Sequence, residues 1–336
     1  MRGWKTIAVI AGLMGLAAGA ARAAEPFDIK VGWVTPTAAP YPLALEKKDL
    51  LTHYGKSYSA TLTRVASTAA ALTALANGDL NICTLSYSTI PLAIQNAHLT
   101  DLRIIMDIAQ DGYPGFATGQ FMVRKDSGIT RVEDLKGKVL ASLTVGSAVD
   151  MAIRAMLRKH HLNDKTDVTF IEVPFPNMKS VLLEKKADLI VTNEPFVEDP
   201  QLQAAARTLF TQHDAIGVTQ LLVWVARAGF VKEHRAAMQD FIEDALRYTR
   251  YSMDPAHHDE MVGIAAKFMK LPPERLSYVF TSKDLYKDPN GIPNMRALQS
   301  NIDLEQKLGF VKQPLDVSKY TDFTLVQTAA VRLGKK

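Results

Sequence analysis

Short apolar runs at strand spacing alternate with helical stretches along this chain, first over residues 27–108 and again over 138–192, and that alternation admits few folds. Phe27 to Val34 reads Phe-Asp-Ile-Lys-Val-Gly-Trp-Val, apolar at every second position, and stops at Thr35-Pro36-Thr37. Ser59 to Arg64 predicts a second strand. Ser67 and Thr68 then stand as N-cap residues for a helix with Ala69, Leu72, Leu75 and Ala76 on one face, ended by Asn77-Gly78. Leu80 to Leu85 predicts a buried strand, Ser86-Tyr87-Ser88-Thr89 the opening of another helix, and Leu102 to Ile108 a fourth strand. The second block repeats the pattern. Lys138 to Leu143 is a strand, and Thr144-Val145-Gly146 a loop. A helix follows, capped by Ser147 with Asp150 three residues on. Val168 to Val173 and Asp188 to Thr192 are further strands, with a helix over Met178 to Lys186 between them. A helix after each strand predicts α/β lobes built on parallel sheets covered on both faces.

Between the blocks, Asp111-Gly112-Tyr113-Pro114-Gly115 is rich in turn formers, and Gln120 to Arg124 is extended again, which reads as a crossover from one lobe to another. Gln220 to Ala226 is strand-like and returns the chain to the first lobe. The pattern from Val231 onward is helical, broken at Pro255, Pro272-Pro273 and Pro289. The expected division is a leader over 1–24, a discontinuous first lobe over 25–117 and 221–336, and a second lobe over 118–220.

The leader is read from a basic start (Arg2, Lys5), an uncharged apolar run from Thr6 to Ala21, and the small-residue site Ala21-Arg22-Ala23-Ala24. Those are the parts of a secretory signal, and the run is shorter than the ~20 residues of a membrane-spanning helix. With Arg2, Lys5 and Arg22 removed, the 39 basic and 35 acidic residues become 36 and 35. So balanced a charge gives no basic face for nucleic acid or a membrane surface. Cys83 is the only cysteine, which excludes an internal disulfide and a lipid-anchored mature N-terminus. The expected location is the periplasm.

Four stretches carry a family likeness. They are the helix, Gly-Asp turn and strand of Ala71 to Leu85; Ile129 to Gly137 (Ile-Thr-Arg-Val-Glu-Asp-Leu-Lys-Gly) with Lys138-Val139-Leu140-Ala141; Gly146-Ser147 and the helix to Leu162; and Asn193-Glu194-Pro195. In order and spacing they resemble the periplasmic binding proteins of sulfonate, taurine and nitrate-type ABC importers, a group that also contains pyrimidine-precursor binders. The resemblance implies the type II periplasmic binding architecture, two α/β lobes with a ligand cleft between them. It further implies capture and delivery of a small organic anion or zwitterion without catalysis or cofactor, by a monomer whose partner is a membrane permease with its cytoplasmic ATPase.

In open parallel sheets a ligand sits beyond the carboxyl ends of the strands, where helix N-termini converge. Those ends carry Thr35, Thr37, Ser67, Thr68, Ser86 and Tyr87 in one lobe and Thr144, Gly146 and Ser147 in the other. Hydroxyls beside free backbone N–H groups bind a sulfonate, carboxylate or nitrate without a formal positive charge; each is equally readable as a plain helix cap. Tyr41, Tyr87 and Tyr113 are candidate apolar walls with a polar tip. Asn193 and Glu194 end a strand, where the carboxylate either meets a donor on the ligand or forms a salt bridge at the rim. The expected pairing is an anionic head on Thr144 and Ser147 with a cationic tail on Glu194.

No metal is expected. His160-His161 and His257-His258 are adjacent pairs pointing about 100° apart on a helix, without His-x-x-x-His spacing. Neither Gly-x-Ser-x-Gly nor a Gly-rich phosphate loop is present. Two rival readings remain open at this level, a sensor that presents its ligand to a receptor kinase and an enzyme of pyrimidine-precursor synthesis on the same fold.

Overall fold

The computed structural model describes residues 25–34 and 41–336. The leader, Thr35 and Thr37 therefore lie outside the described residues. Ten strands are seen among those described: β1 Phe27–Trp33, β2 Tyr58–Arg64, β3 Ile82–Ser86, β4 Leu102–Asp111, β5 Gln120–Arg124, β6 Val139–Ser142, β7 Thr169–Glu172, β8 Leu189–Thr192, β9 Ala206–Thr211 and β10 Thr219–Arg227.

They form two five-stranded sheets of the same design, β2-β1-β3-β10-β4 and β7-β6-β8-β5-β9. In the first, β1 pairs in parallel with β2 and β3; in the second, β6 does so with β7 and β8. The expectation of wholly parallel sheets is corrected at one strand in each. β10 runs antiparallel to β3 and β4, and β5 antiparallel to β8 and β9. The cause lies in chain routing. Both strands arrive directly from the other sheet through the short segments 112–119 and 212–218, the second holding one short helix, Gln212–Ile216; both are shorter than the crossover of a dozen or more residues that returns a chain to parallel register. They therefore start at the junction, where their neighbours end.

Ser67 and Gly78 define the helix Thr68–Asn77: the Ser67 side chain accepts from the Ala70 N–H, and Gly78 sits at φ 80°, where a side chain would be strained. Ser147 caps Ala148–Lys159 in the same way by accepting from the Asp150 N–H, and the stripe of Val149, Ile153, Met156 and Leu157 is buried. The helix after β7 spans Phe175–Leu183, a turn earlier than its sequence pattern, because Pro174 and Pro176 fit a helix start. Tyr87, Ser88 and Thr89 form a turn in which Thr89 Oγ1 accepts from the Ser86 N–H at 3.0 Å, and Leu92–Asn96 beyond it is π-helical.

One apolar cluster lies beneath the second sheet. Two others cover the faces of the first. Trp224, Phe241, Tyr41 and Tyr58 centre one; Leu85, Tyr87, Leu298 and Ile302 belong to the other. The long helices Arg235–Ser252, Met295–Leu308 and Thr324–Arg332 pack against the first sheet, so the tail of the chain completes the lobe that its head began.

Candidate functional site

The carboxyl ends of β1, β3 and β4 face those of β6 and β8 across the two connecting segments. Thr68, Ser86, Ser88 and Thr89 form a hydroxyl cluster at one such end, with Ser86 Oγ lying 3.3, 2.9 and 3.2 Å from the other three oxygens. Ser67 remains an exposed cap. Tyr87 is fully buried, and its hydroxyl donates to the Ala148 carbonyl of the other lobe at 3.3 Å. Met151 joins the same apolar cluster as Tyr87 and Leu308. The Arg158 guanidinium donates to the Lys307 and Leu308 carbonyls at 3.0 and 3.3 Å. Tyr87 therefore seals one lobe against the other.

Two further expectations are corrected, those for Tyr41 and for the helix start at Ser147. Tyr41 is 2% exposed and donates to Tyr58, whose hydroxyl donates to Asp244; it is a core residue, since the short helix Tyr41–Ala44 turns it towards Trp224 and Phe241. Tyr113 stacks face to face on Tyr286 at 3.7 Å and belongs to the connection between lobes. The start of the helix Ala148–Lys159 is not free for an anion. The Gly146 N–H donates to Asp150 Oδ2 at 2.9 Å, the Asp150 N–H donates to Ser147 Oγ, and Arg154 Nε donates to the same carboxylate oxygen at 2.9 Å. A resident carboxylate already satisfies the positive end of this helix dipole. Thr144 is exposed and accepts from the Ser147 N–H.

Glu194 stands elsewhere, at a cavity of about 620 Å³ between the lobes. Phe175, Met178 and Phe196 line it beside Glu194, and Tyr278 and Lys283 face them from the first lobe. The Asn193 carbonyl accepts from the Phe196 and Val197 N–H groups at 2.8 and 2.9 Å, folding the chain after β8 into a turn that carries the carboxylate; Asn193 itself is exposed. Burial first, then the charge of neighbouring Glu198 and a hydrogen bond shared with its carboxyl, pushes the Glu194 carboxyl up to about 7, with Lys283 pulling the other way. Its Oε2 is buried and bonds to nothing among the described residues. Phe175 and Phe196 lie with ring planes 6° apart and centroids 6.2 Å apart. Lys179, below them, is neutralised by Asp199 at 2.7 Å. The first-lobe wall, contributed by residues 274–283, was absent from the sequence expectations, where only Pro272-Pro273 marked a loop.

The paired histidines have other occupations. His160 Nδ1 lies 2.8 Å from Glu133, and His257 stacks on Tyr251 at 3.7 Å. Among the described residues no group of three His, Cys, Asp or Glu could hold a metal ion, and no helix is long and apolar enough to cross a membrane.

Residues 22–266 match the sequence model of the NMT1-like family. The chain belongs to this family. No curated protein matches its sequence. Solved structures show where the fold of this NMT1-like chain recurs. The periplasmic aliphatic sulphonate binding protein SsuA from Escherichia coli superposes with a TM-score of 0.70 at 17% identity, over 88% of this chain and 97% of that one. The periplasmic nitrate-binding protein NrtA from Synechocystis PCC 6803 does so at 0.70 and 16%, over 93% and 90%. The desulfurization enzyme DszB follows at 0.65 and 14%, over 91% and 99%. The architecture is thus that of the sulfonate- and nitrate-type periplasmic binding proteins, as the motifs implied. Because an enzyme shares it, the fold alone does not separate binding from turnover.

Proposed function

We propose that this NMT1-like protein is the solute-binding component of an ABC import system, capturing a small organic anion or zwitterion in the periplasm and delivering it to a permease with a cytoplasmic ATPase. The observation that carries this reading is the cavity between the lobes, with the unpartnered Glu194 oxygen on its wall. A buried carboxylate oxygen left without a partner costs free energy, which a donor on a bound solute would recover. Residues 25–117 with 221–336, and residues 118–220, act as the two lobes that close on the solute about the segments 112–119 and 212–218.

Capture is favoured over turnover by the side chains at hand. The sole cysteine, Cys83, is fully buried in β3, and burial pushes its thiol up, away from the thiolate a nucleophile needs. Among the described residues the Ser86 hydroxyl meets the hydroxyls of Thr68, Ser88 and Thr89, with no imidazole in bonding distance to act as its base.

The test is native mass spectrometry of the mature protein from a periplasmic extract, followed by calorimetry with taurine, an alkanesulfonate, an aromatic carboxylate and nitrate. One solute per chain, released unchanged, is the expected result. Failure of every compound to bind, or steady conversion of a bound one, overturns the reading.

A further inference from the structure

The cavity wall opposite Glu194 is made by a segment beyond the family match, which ends at residue 266. Residues 273–288 form a strap pinned at several points. The Asp284 carboxylate accepts from the Phe280 and Leu285 N–H groups at 2.9 and 2.7 Å and lies 3.4 Å from the buried Lys287 ammonium. The Asp284 carbonyl accepts from the Ala117 N–H at 3.2 Å, within the first connection between lobes. Gln110 of β4 and Tyr286 exchange backbone bonds of 2.8 and 3.1 Å, and the Asp288 N–H donates to Asp107 at 2.8 Å. Phe280 is held at φ 60°, a conformation that a bulky residue keeps only when its surroundings impose it. The strap is therefore a fixed part of the first lobe, set against the junction on which the lobes would close.

Its charges complement those across the cavity. Three cations line the space, Lys179, Arg275 and Lys283. Lys179 is spent on Asp199. The Arg275 guanidinium has no ion pair or hydrogen bond among the described residues, and Lys283, also outside any salt bridge, acts on Glu194 only through its field. Both stand on the strap, where Glu274 also lines the cavity and Asp284, paired with Lys287, acts on Glu194 through its field; Glu194, Glu198 and Asp199 stand on the facing wall. The space is thus bipolar, cationic towards the strap and acidic towards β8.

We infer that Arg275 and Lys283 form the acid-binding half of the cavity, so that the strap selects bipolar solutes whose sulfonate or carboxylate meets these two side chains while an ammonium or other donor meets Glu194. This rests on the solute-capture reading and moves the anion site from the occupied helix start at Gly146-Ser147 to the opposite lobe. An Arg–acid contact supplies bidentate geometry, and the lysine adds a point charge.

Three probes of matched length test it: taurine, which carries both groups, ethanesulfonate, which carries only the acid, and ethylamine, which carries only the base. Calorimetry would compare the wild type with Arg275→Gln, Lys283→Gln and the double variant. Both side chains are exposed, so unliganded melting temperatures should match. The expected result is a wild-type preference for taurine over either half-molecule, and at least a tenfold loss of taurine affinity in the double variant. Unchanged taurine affinity in that variant, or a wild type that prefers ethylamine, overturns the assignment. A wild type that binds an aromatic carboxylate or nitrate but none of these three overturns it alone; one that binds no compound at all overturns solute capture itself.

Discussion

Glu305→Gln isolates the effect of one buried acid on the stability of the first lobe. Glu305 lies on the inward face of the helix Met295–Leu308, between Ile302 and Leu308, and is 1% exposed. Its Oε1 has no partner among the described residues, and burial alone pushes the carboxyl from the ordinary 4.5 up to about 9. Between those two values the folded chain holds a proton that the unfolded chain has released. Stability therefore falls as pH rises, by about 1.4 kcal/mol per unit, to a ceiling of about 6 kcal/mol across the window. The glutamine variant has no such slope. Its amide N–H groups are left unpaired instead, a pH-independent cost of about 1 to 3 kcal/mol, so it should be the less stable protein near pH 5 and the more stable one at pH 8. Urea titrations at pH 5, 6, 7 and 8 read this directly through Trp33 and Trp224, which both lie in the first sheet. Asp107 and Glu194, each raised to about 7, and Asp111, raised to about 6, add slopes of the same sign; these are common to both proteins and cancel in the difference. If the two slopes agree within about 0.3 kcal/mol per unit, Glu305 is ionised and solvated, and the reasoning fails.

Two further outcomes follow from the same geometry. Asp244 accepts from the Thr52, His53 and Tyr54 N–H groups and from the Thr52 and Tyr58 hydroxyls, so Asp244→Ala should lose at least about 3 kcal/mol in urea titration, and a loss under about 1 kcal/mol would show these bonds to be replaceable by water. Glu194 gains its charge as pH rises through about 7, so taurine should bind more tightly at pH 8 than at pH 6, by up to about tenfold, and Glu194→Gln should abolish the difference; a pH dependence that survives in the variant assigns the titration to another group.

The strands were legible because a period of two is a local property, and β1 to β8 and β10 each begin and end near their sequence expectations. β9 was not. Ala206-Arg207-Thr208-Leu209-Phe210-Thr211 follows the helix Pro200–Ala205 with no glycine or proline between them, and among the described residues it pairs with β5 alone. The direction of β5 and β10 was equally hidden, since nothing in Gln120 to Arg124 or Gln220 to Ala226 records from which lobe the chain arrives. Glu194 could be picked out because it ends a strand, and Lys283 could not, because it reaches the cavity only through the folding of a loop. Tyr41 shows the opposite error, an aromatic near a strand end that the next turn of chain buries.

The most instructive misreading concerns Ser147, because its correction was written three residues on. An acid at Asp150 completes a capping arrangement, so the helix start that invited an anion supplies one from its own chain. With that end neutralised, the same helix contributes Ala148, Met151 and Arg158 to the seal against Tyr87 and the carbonyls of Lys307 and Leu308. A segment that holds the lobes together in this way is poorly placed to discriminate between solutes. On the proposed solute-capture reading, discrimination falls to groups at the cavity with unspent bonding capacity, among them Glu194 Oε2 and the cations of the strap. On that reading the acid-binding and base-binding groups sit on opposite walls of one cavity, and a solute would have to reach both for closure of the lobes to be favoured over the open form.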